Sequence, residues 1–384
     1  MIVRFKFDFA CIYCAVIVAL CAAMPAFAQE DIAQETAQEE TAQDVAPQAA
    51  PVQRSVDLNS LSYDARLSDY EYPFDVKYFP IASQGKRLEM AYMYLPGDGT
   101  RGTVTLMHGK NFTSAYWEET AKFLNSQGYN VLMPDQIGFG KSSKPVDYQY
   151  SFAALALHTQ TLLNALGIKK SVIVGHSMGG MLATRFALMY PEQTLRLVMI
   201  NPIGLENYLH YVEYKDIGFF FEREMEQSAD RIVFYQKQNY YDNQWSDEYA
   251  EIAQPLIGMV QGPDKQQVAL VSALTYDMIF TQPVIEEMWK VSVPMSMVLG
   301  TRDRTAPGDG WKKEGIRREL GNYDRLGESV QTRQPFLSLY RLEGLGHVPH
   351  IENFERFAPV FEEALKILGE PGSHEVFLPP ENKS

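Results

Sequence analysis

Beyond residue 21 the chain contains no cysteine. Its three, Cys11, Cys14 and Cys21, all fall near the start of a 384-residue sequence. Disulfides and thiolate chemistry are thereby excluded from everything downstream. Basic charge is also scarce: 34 Lys and Arg stand against 48 Asp and Glu, a formal net charge of −14. That balance removes the attraction to phosphate on which nucleic-acid binding depends, so no nucleic-acid partner is expected. No apolar run reaches the roughly 20 residues that span a bilayer. No spaced cluster of His, Cys and carboxylates resembles a metal-ligand set, so neither a metal nor an organic cofactor is expected.

Residues 1–28 read as an export signal. Arg4 and Lys6 form a basic start, Ala10 to Ala23 an apolar stretch, and Ala26-Phe27-Ala28 a small-x-small cleavage site. An uncleaved anchor is the competing reading. Lipid attachment at Cys21 is disfavoured because Leu20 is bulky. Cleavage would remove all the cysteines and leave no stable membrane span, and a cysteine-free exported product suits a bacterial periplasm. Residues 29–54 are rich in Ala, Gln, Glu and Thr, a composition that cannot bury enough surface to order itself. The proline-bearing tail, 370–384, is expected to be flexible.

Between these ends, eight short strand-like runs alternate with helix-like stretches: 75–82, 87–95, 103–107, 130–133, 171–174, 195–200, 295–299 and 337–342. Apolar strands alternating with helices indicate a mostly parallel sheet covered on both faces, an α/β fold. Residues 55–203 and 292–369 would form this core. The aromatic-rich block 204–291 lacks strand patterning and is too long for a simple connection, so a helical cap over the carboxyl ends of the strands is expected.

Gly175-His176-Ser177-Met178-Gly179-Gly180 lies between the β-branched run Val172-Ile173-Val174 and a helix-like run, 181–190. A strand that turns this abruptly into a helix projects one side chain over the sheet edge, and here that side chain is a serine. Serine is too weak an acid to ionise unaided, so it needs a positioned base.

Three further motifs follow in order: His108-Gly109-Lys110-Asn111-Phe112, Pro134-Asp135-Gln136-Ile137-Gly138-Phe139-Gly140, and Gly346-His347. With the serine turn, they make the chain resemble the α/β-hydrolase family over about residues 75–365, in its capped branch of serine esterases and related hydrolases. The resemblance implies an eight-stranded sheet, a Ser177, Asp303, His347 triad, and an oxyanion hole from the backbone N–H groups of Lys110 and Met178. Lys110-Asn111-Phe112 departs from the family's usual aromatic or glycine-rich continuation, which leaves Asn111, Phe112, Tyr116, Trp117 and Tyr208 as candidates for a substrate pocket. His350 rivals His347 and Asp309 rivals Asp303, while His108, His176 and Asp135 look structural. Hydrolysis of a small-molecule ester or related acyl compound is the leading expectation. Prolyl iminopeptidase-like or cofactor-free perhydrolase activity is an alternative, with Glu222, Glu224 and Glu226 as possible amine ligands. A non-catalytic ligand-binding protein is the alternative of another class.

Overall fold

A computed structural model describes residues 56–98, 100–334, 336–366 and 376–378. The export signal and the segment expected to be disordered lie outside the described residues, as does most of the tail.

Two antiparallel strands open the fold, β1 (Val76–Ser83) and β2 (Lys86–Leu95), joined at Gln84-Gly85. Then come β3 (Thr103–Met107), α1 (Glu118–Ser126), β4 (Asn130–Pro134), α2 (Phe152–Ala165), β5 (Ser171–His176), α3 (Met178–Met189) and β6 (Thr194–Ile200). Four helices follow without an intervening strand: α4 (Ile217–Met225), α5 (Ala229–Asn239), α6 (Asp247–Gln261) and α7 (Lys265–Thr281). The chain returns through β7 (Met295–Gly300), α8 (Tyr323–Arg333), β8 (Leu337–Leu342), the single turn α9 (Pro349–Glu352) and α10 (Phe354–Leu365). The eight expected strands are present, with ends shifted by a residue or two. A further three-residue strand, β9 (Val376–Leu378), pairs with β8 inside the stretch expected to be flexible, which corrects that expectation.

The sheet order is β1-β2-β4-β3-β5-β6-β7-β8-β9, parallel from β4 onward. Strands β3, β5 and β7 are buried at every position, which explains why they are mostly apolar and carry no Asp, Glu, Lys or Arg. Alternate side chains enter opposite layers. Val172 and Val174 pack with Ala121, Leu124, Phe357 and Phe361 of α1 and α10, whereas Ile173 packs with Leu155, Leu162, Met181 and Phe186 of α2 and α3.

The inserted helices have their own aromatic packing. Phe220 on α4 stacks on Tyr276 and Phe280 of α7 at 5.2 and 5.6 Å between centroids. Trp311, from the loop after β7, meets Phe219 edge-on at 5.5 Å. That loop was assigned to the sheet core by sequence, but its aromatic ring belongs to the packing of the insertion. The segment before β1 also crosses over: Tyr63 N–H donates to the Gly258 carbonyl of α6 at 2.9 Å, and Tyr72 donates its hydroxyl to Asp135 at 2.8 Å. No helix among the described residues is long and apolar enough to cross a membrane.

Besides His347, four histidines, His108, His158, His176 and His350, are at most 2% exposed. Burial holds each below the ordinary histidine pKa of 6.5, His158 down to about 4 and His350 to about 3. His350 stacks on Trp117 at 4.7 Å, and neither ring nitrogen has a hydrogen-bond partner. As pH falls below 6.5 the unfolded chain takes up protons that the folded chain refuses, so each such group lowers stability, by at most about 1 kcal/mol per pH unit, until its own folded pKa is reached. Urea unfolding between pH 7 and 4.5 should show this decline. His350→Phe should make it shallower by one proton's worth, without loss at pH 7, because an unpartnered buried ring is replaced by an apolar one. An unchanged slope would show that His350 is protonated in the folded state.

Candidate active site

Strands β3, β5, β6, β7 and β8 lie side by side and parallel, so their carboxyl ends form one continuous edge. The chain leaves β3 for β4 on one side and comes back to β5 on the other. This is the topological switch at which open α/β sheets form a crevice. The segments that follow these five strands begin with His108, Ser177, Asn201, Thr301 and Glu343, and the last two lead within a few residues to Asp303 and His347.

Ser177 alone separates β5 from α3, at φ 56° and ψ −121°. The turn is tight enough that a Cβ on Gly175 would fall 2.0 Å from the Gly179 carbonyl oxygen, and one on Gly179 would fall 2.1 Å from that of Met107. Glycine is therefore required at both positions. The Ser177 hydroxyl is 2.9 Å from His347 Nε2, and His347 Nδ1 is 2.7 Å from Asp303 Oδ2. Asp303 is fully buried. It also accepts the Thr305 N–H on Oδ1 and the Asn201 amide on Oδ2, each at 2.8 Å. An acceptor-only carboxylate at Nδ1 fixes the proton there, leaving Nε2 to accept from Ser177.

Sequence reasoning did not single out Asn201 or Tyr240. Asn201 follows β6 and joins it to the end of β7 by accepting the Gly300 N–H at 3.0 Å while donating to Asp303. A polar residue at a strand's carboxyl end was the available signal. Tyr240 follows α5, and its ring stacks on the His347 imidazole at 4.9 Å and 24°. Nothing in the sequence around Tyr240 marks this contact, which spans two segments far apart in the chain.

A second tier supports the first. His176 donates from Nε2 to the His347 carbonyl at 2.8 Å and accepts the Tyr116 hydroxyl on Nδ1 at 3.0 Å. Burial, with His347 and His350 nearby, holds its pKa well below 6.5 and keeps the ring neutral. Tyr116 in turn accepts the Gly109 N–H at 3.2 Å. His108 accepts the Gln136 N–H at 3.1 Å, and Asp135 accepts the N–H groups of Ser114 and Lys141, each at 2.7 Å. These are bracing roles, as expected.

Gly109 lies against the serine: a Cβ there would be 3.2 Å from Ser177 Cβ. The Lys110 peptide follows directly. Met178 opens α3, so its N–H belongs to the helix-terminal donors that have no acceptor within the helix. The Lys110 side chain turns away toward α7, where the ammonium donates to Ser272 Oγ at 2.7 Å and the Ser272 carbonyl at 3.1 Å and sits 4.0 Å above the Tyr276 ring. Burial lowers its pKa to about 8.

A cavity of about 660 Å³ adjoins this loop, lined by Lys110, Asn111 and Phe112 together with Tyr235, Tyr276 and Trp311 from the insertion side. Asn111 and Phe112 line this cavity, and Tyr116, Trp117, Tyr208 and the Ser177, His347 and Asp303 side chains are not among its lining residues. Tyr116 and Trp117 are buried beneath the loop, on the sheet side, and Tyr208 is buried with its hydroxyl accepting the Gly204 N–H at 2.8 Å. Of the rivals, His350 is sealed among aromatic rings and Asp309 pairs with Lys312 at the surface, 2.8 Å away. Glu224 lines the cavity but faces the Lys110 charge, Glu226 pairs with Arg231 at 2.7 Å, and Glu222 is exposed.

Comparison with known proteins agrees with this architecture. The family model for the alpha/beta hydrolase fold matches residues 102–280. A 2-hydroxymuconate semialdehyde hydrolase from Pseudomonas putida is 41% identical over 101 residues, 26% of this chain and 36% of that protein. A 2-hydroxy-6-oxo-6-phenylhexa-2,4-dienoate hydrolase from Burkholderia cepacia is 33% identical over 123 residues, 31% of this chain and 43% of that protein. The chain thus spans less than half the length of these curated relatives. Among solved structures, one described as a "probable hydrolytic enzyme" from Pseudomonas aeruginosa is 42% identical, with a TM-score of 0.78, over 80% of this chain and 99% of its own. A thermophilic esterase from Thermogutta terrifontis shares the fold at 20% identity and a TM-score of 0.58, over 75% of this chain and 97% of its own. On the near-complete match to the Pseudomonas aeruginosa structure and the family model, the chain belongs to the α/β-hydrolase family.

Proposed function

We propose that this protein is an exported serine hydrolase that cleaves an ester or related acyl compound through an acyl-enzyme. The observation that carries the reading is the hydrogen-bonded chain from Ser177 Oγ to His347 Nε2, at 2.9 Å, and from His347 Nδ1 to Asp303, at 2.7 Å. His347 takes the Ser177 proton as Oγ attacks the carbonyl, and Asp303 stabilises the imidazolium that forms. The oxyanion is received by the N–H groups of Lys110 and Met178, the latter at the positive end of α3. His347 returns the proton to the leaving group, and water then releases the acyl group by the same steps. Export rests on the basic start, apolar stretch and Ala26-Phe27-Ala28 site at the amino terminus.

A second reading, hydrolysis of a carbon–carbon bond beside a carbonyl, is favoured by the local 41% identity to the Pseudomonas putida enzyme. It would use the same residues. An amine-gripping iminopeptidase is less favoured, because Glu224 and Glu226 already face Lys110 and Arg231.

A fluorophosphonate probe should label Ser177, as mapped by peptide mass, and Ser177→Ala should lose both the label and turnover of a short activated ester. Turnover that survives this substitution would remove the reading. Asp303→Asn should keep the fold but lower kcat by about 10⁴, because the amide favours the wrong imidazole tautomer. Comparing ester, vinylogous diketone and prolyl-arylamide panels would separate the acyl, carbon–carbon and iminopeptidase readings.

A further inference from the structure

Two consecutive side chains of the loop beside Ser177 reach out of the sheet layer and end on different parts of the insertion. Lys110 donates to Ser272 Oγ at 2.7 Å on α7 and lies over Tyr276 one helical turn further on. Asn111 Nδ2 donates to the Tyr240 hydroxyl at 2.9 Å, and the same Tyr240 ring covers His347. From below, the loop is held by the Gly109 N–H on Tyr116 at 3.2 Å and by the Phe112 N–H on the Gly109 carbonyl at 3.3 Å. The residues flanking the Lys110 peptide are therefore held within the loop and from the sheet side, and the Lys110 and Asn111 side chains are held by the insertion.

Burying an ammonium is costly unless its donors are satisfied. Here they are, by a hydroxyl, a carbonyl and an aromatic face. We infer that Lys110 and Asn111 are positioning residues through which the inserted helices set the orientation of the Lys110 N–H, so that the oxyanion site is complete only while the insertion is seated on the loop. This rests on the proposed role of that N–H in acyl transfer. The cavity lies between the same partners, being lined by Lys110, Asn111, Ser272 and Tyr276. A substrate that fills it would press on both ends of the tie.

The experiment compares wild type with Ser272→Ala, Ser272→Thr, Lys110→Met and the Lys110→Met/Ser272→Ala double variant. Each is measured for kcat and KM on a short activated ester, for inhibition by a boronic acid that forms a tetrahedral adduct, and for thermal midpoint. Misplacing a donor costs less than the 10²–10³ lost on removing one, so Ser272→Ala should lower kcat about tenfold with little change in KM, and should weaken the boronic acid by a similar factor. Ser272→Thr, which keeps the hydroxyl, should recover most of both. The double variant should lose no more than Lys110→Met alone, as expected of residues acting through one contact.

A raised KM with unchanged kcat would mean that these side chains only line the pocket and would overturn the inference. So would a lowered thermal midpoint with unaltered kcat per folded molecule. Wild-type protein with neither turnover nor Ser177 labelling would reject the serine-hydrolase reading and this inference with it. Active wild type with unaffected Ser272→Ala would reject the inference alone.

Discussion

Ser177 holds a backbone conformation, φ 56° with ψ −121°, that costs about 1–3 kcal/mol in a non-glycine residue. It persists because β5 and α3 approach each other at Gly175 and Gly179 too closely to allow a relaxed connection. Both faces of β5 are buried, so the strand cannot shift to relieve the turn. In this conformation the hydroxyl lies 2.9 Å from His347 Nε2. Packing of the sheet thus supplies the force that holds one side chain beside His347.

Sheet order then determines which residues can meet that hydroxyl. β6 and β7 follow β5 in space, and β8 follows β7, so Asn201, Asp303 and His347 arrive from successive strand ends although 146 residues separate the first from the last. Asn201, at the end of β6, ties that strand to Asp303's strand by binding one backbone amide and one carboxylate. On the opposite side, β3 brings Gly109 against Ser177, so that a Cβ there would fall 3.2 Å from the Ser177 Cβ. The insertion adds a roof made of Tyr240 over His347 and α7 over Lys110.

Much of this was legible in the chain. The buried parallel strands announced themselves as short, mostly apolar runs and the opening antiparallel pair by its glycine turn, and the serine turn did so because its glycines have no substitute. Asp303 and His347 could be named because each lies in a glycine-bearing loop just past a strand, in an order that matched a known family. Roles that depend on which side of the loop a ring falls were not legible. Tyr116 and Trp117 carry the composition of pocket residues, yet they pack under the loop, one bracing Gly109 and the other stacked on His350. Trp311 reads as part of a sheet connection, yet it completes the aromatic packing of α4 and α7.

The sequence by itself determined the α/β class, the serine turn, the residues that stand as candidate partners of its serine, and the absence of cysteine beyond residue 21. These follow from local pattern: apolar period, glycine where no Cβ fits, and polar residues at strand ends. Only the tertiary structure decided that Asn201 and Tyr240 join the site, that Lys110 is tied to Ser272, and which aromatics face the cavity. Each of these depends on contacts between segments remote in sequence, and direction across such a contact is fixed by packing rather than by the residues alone.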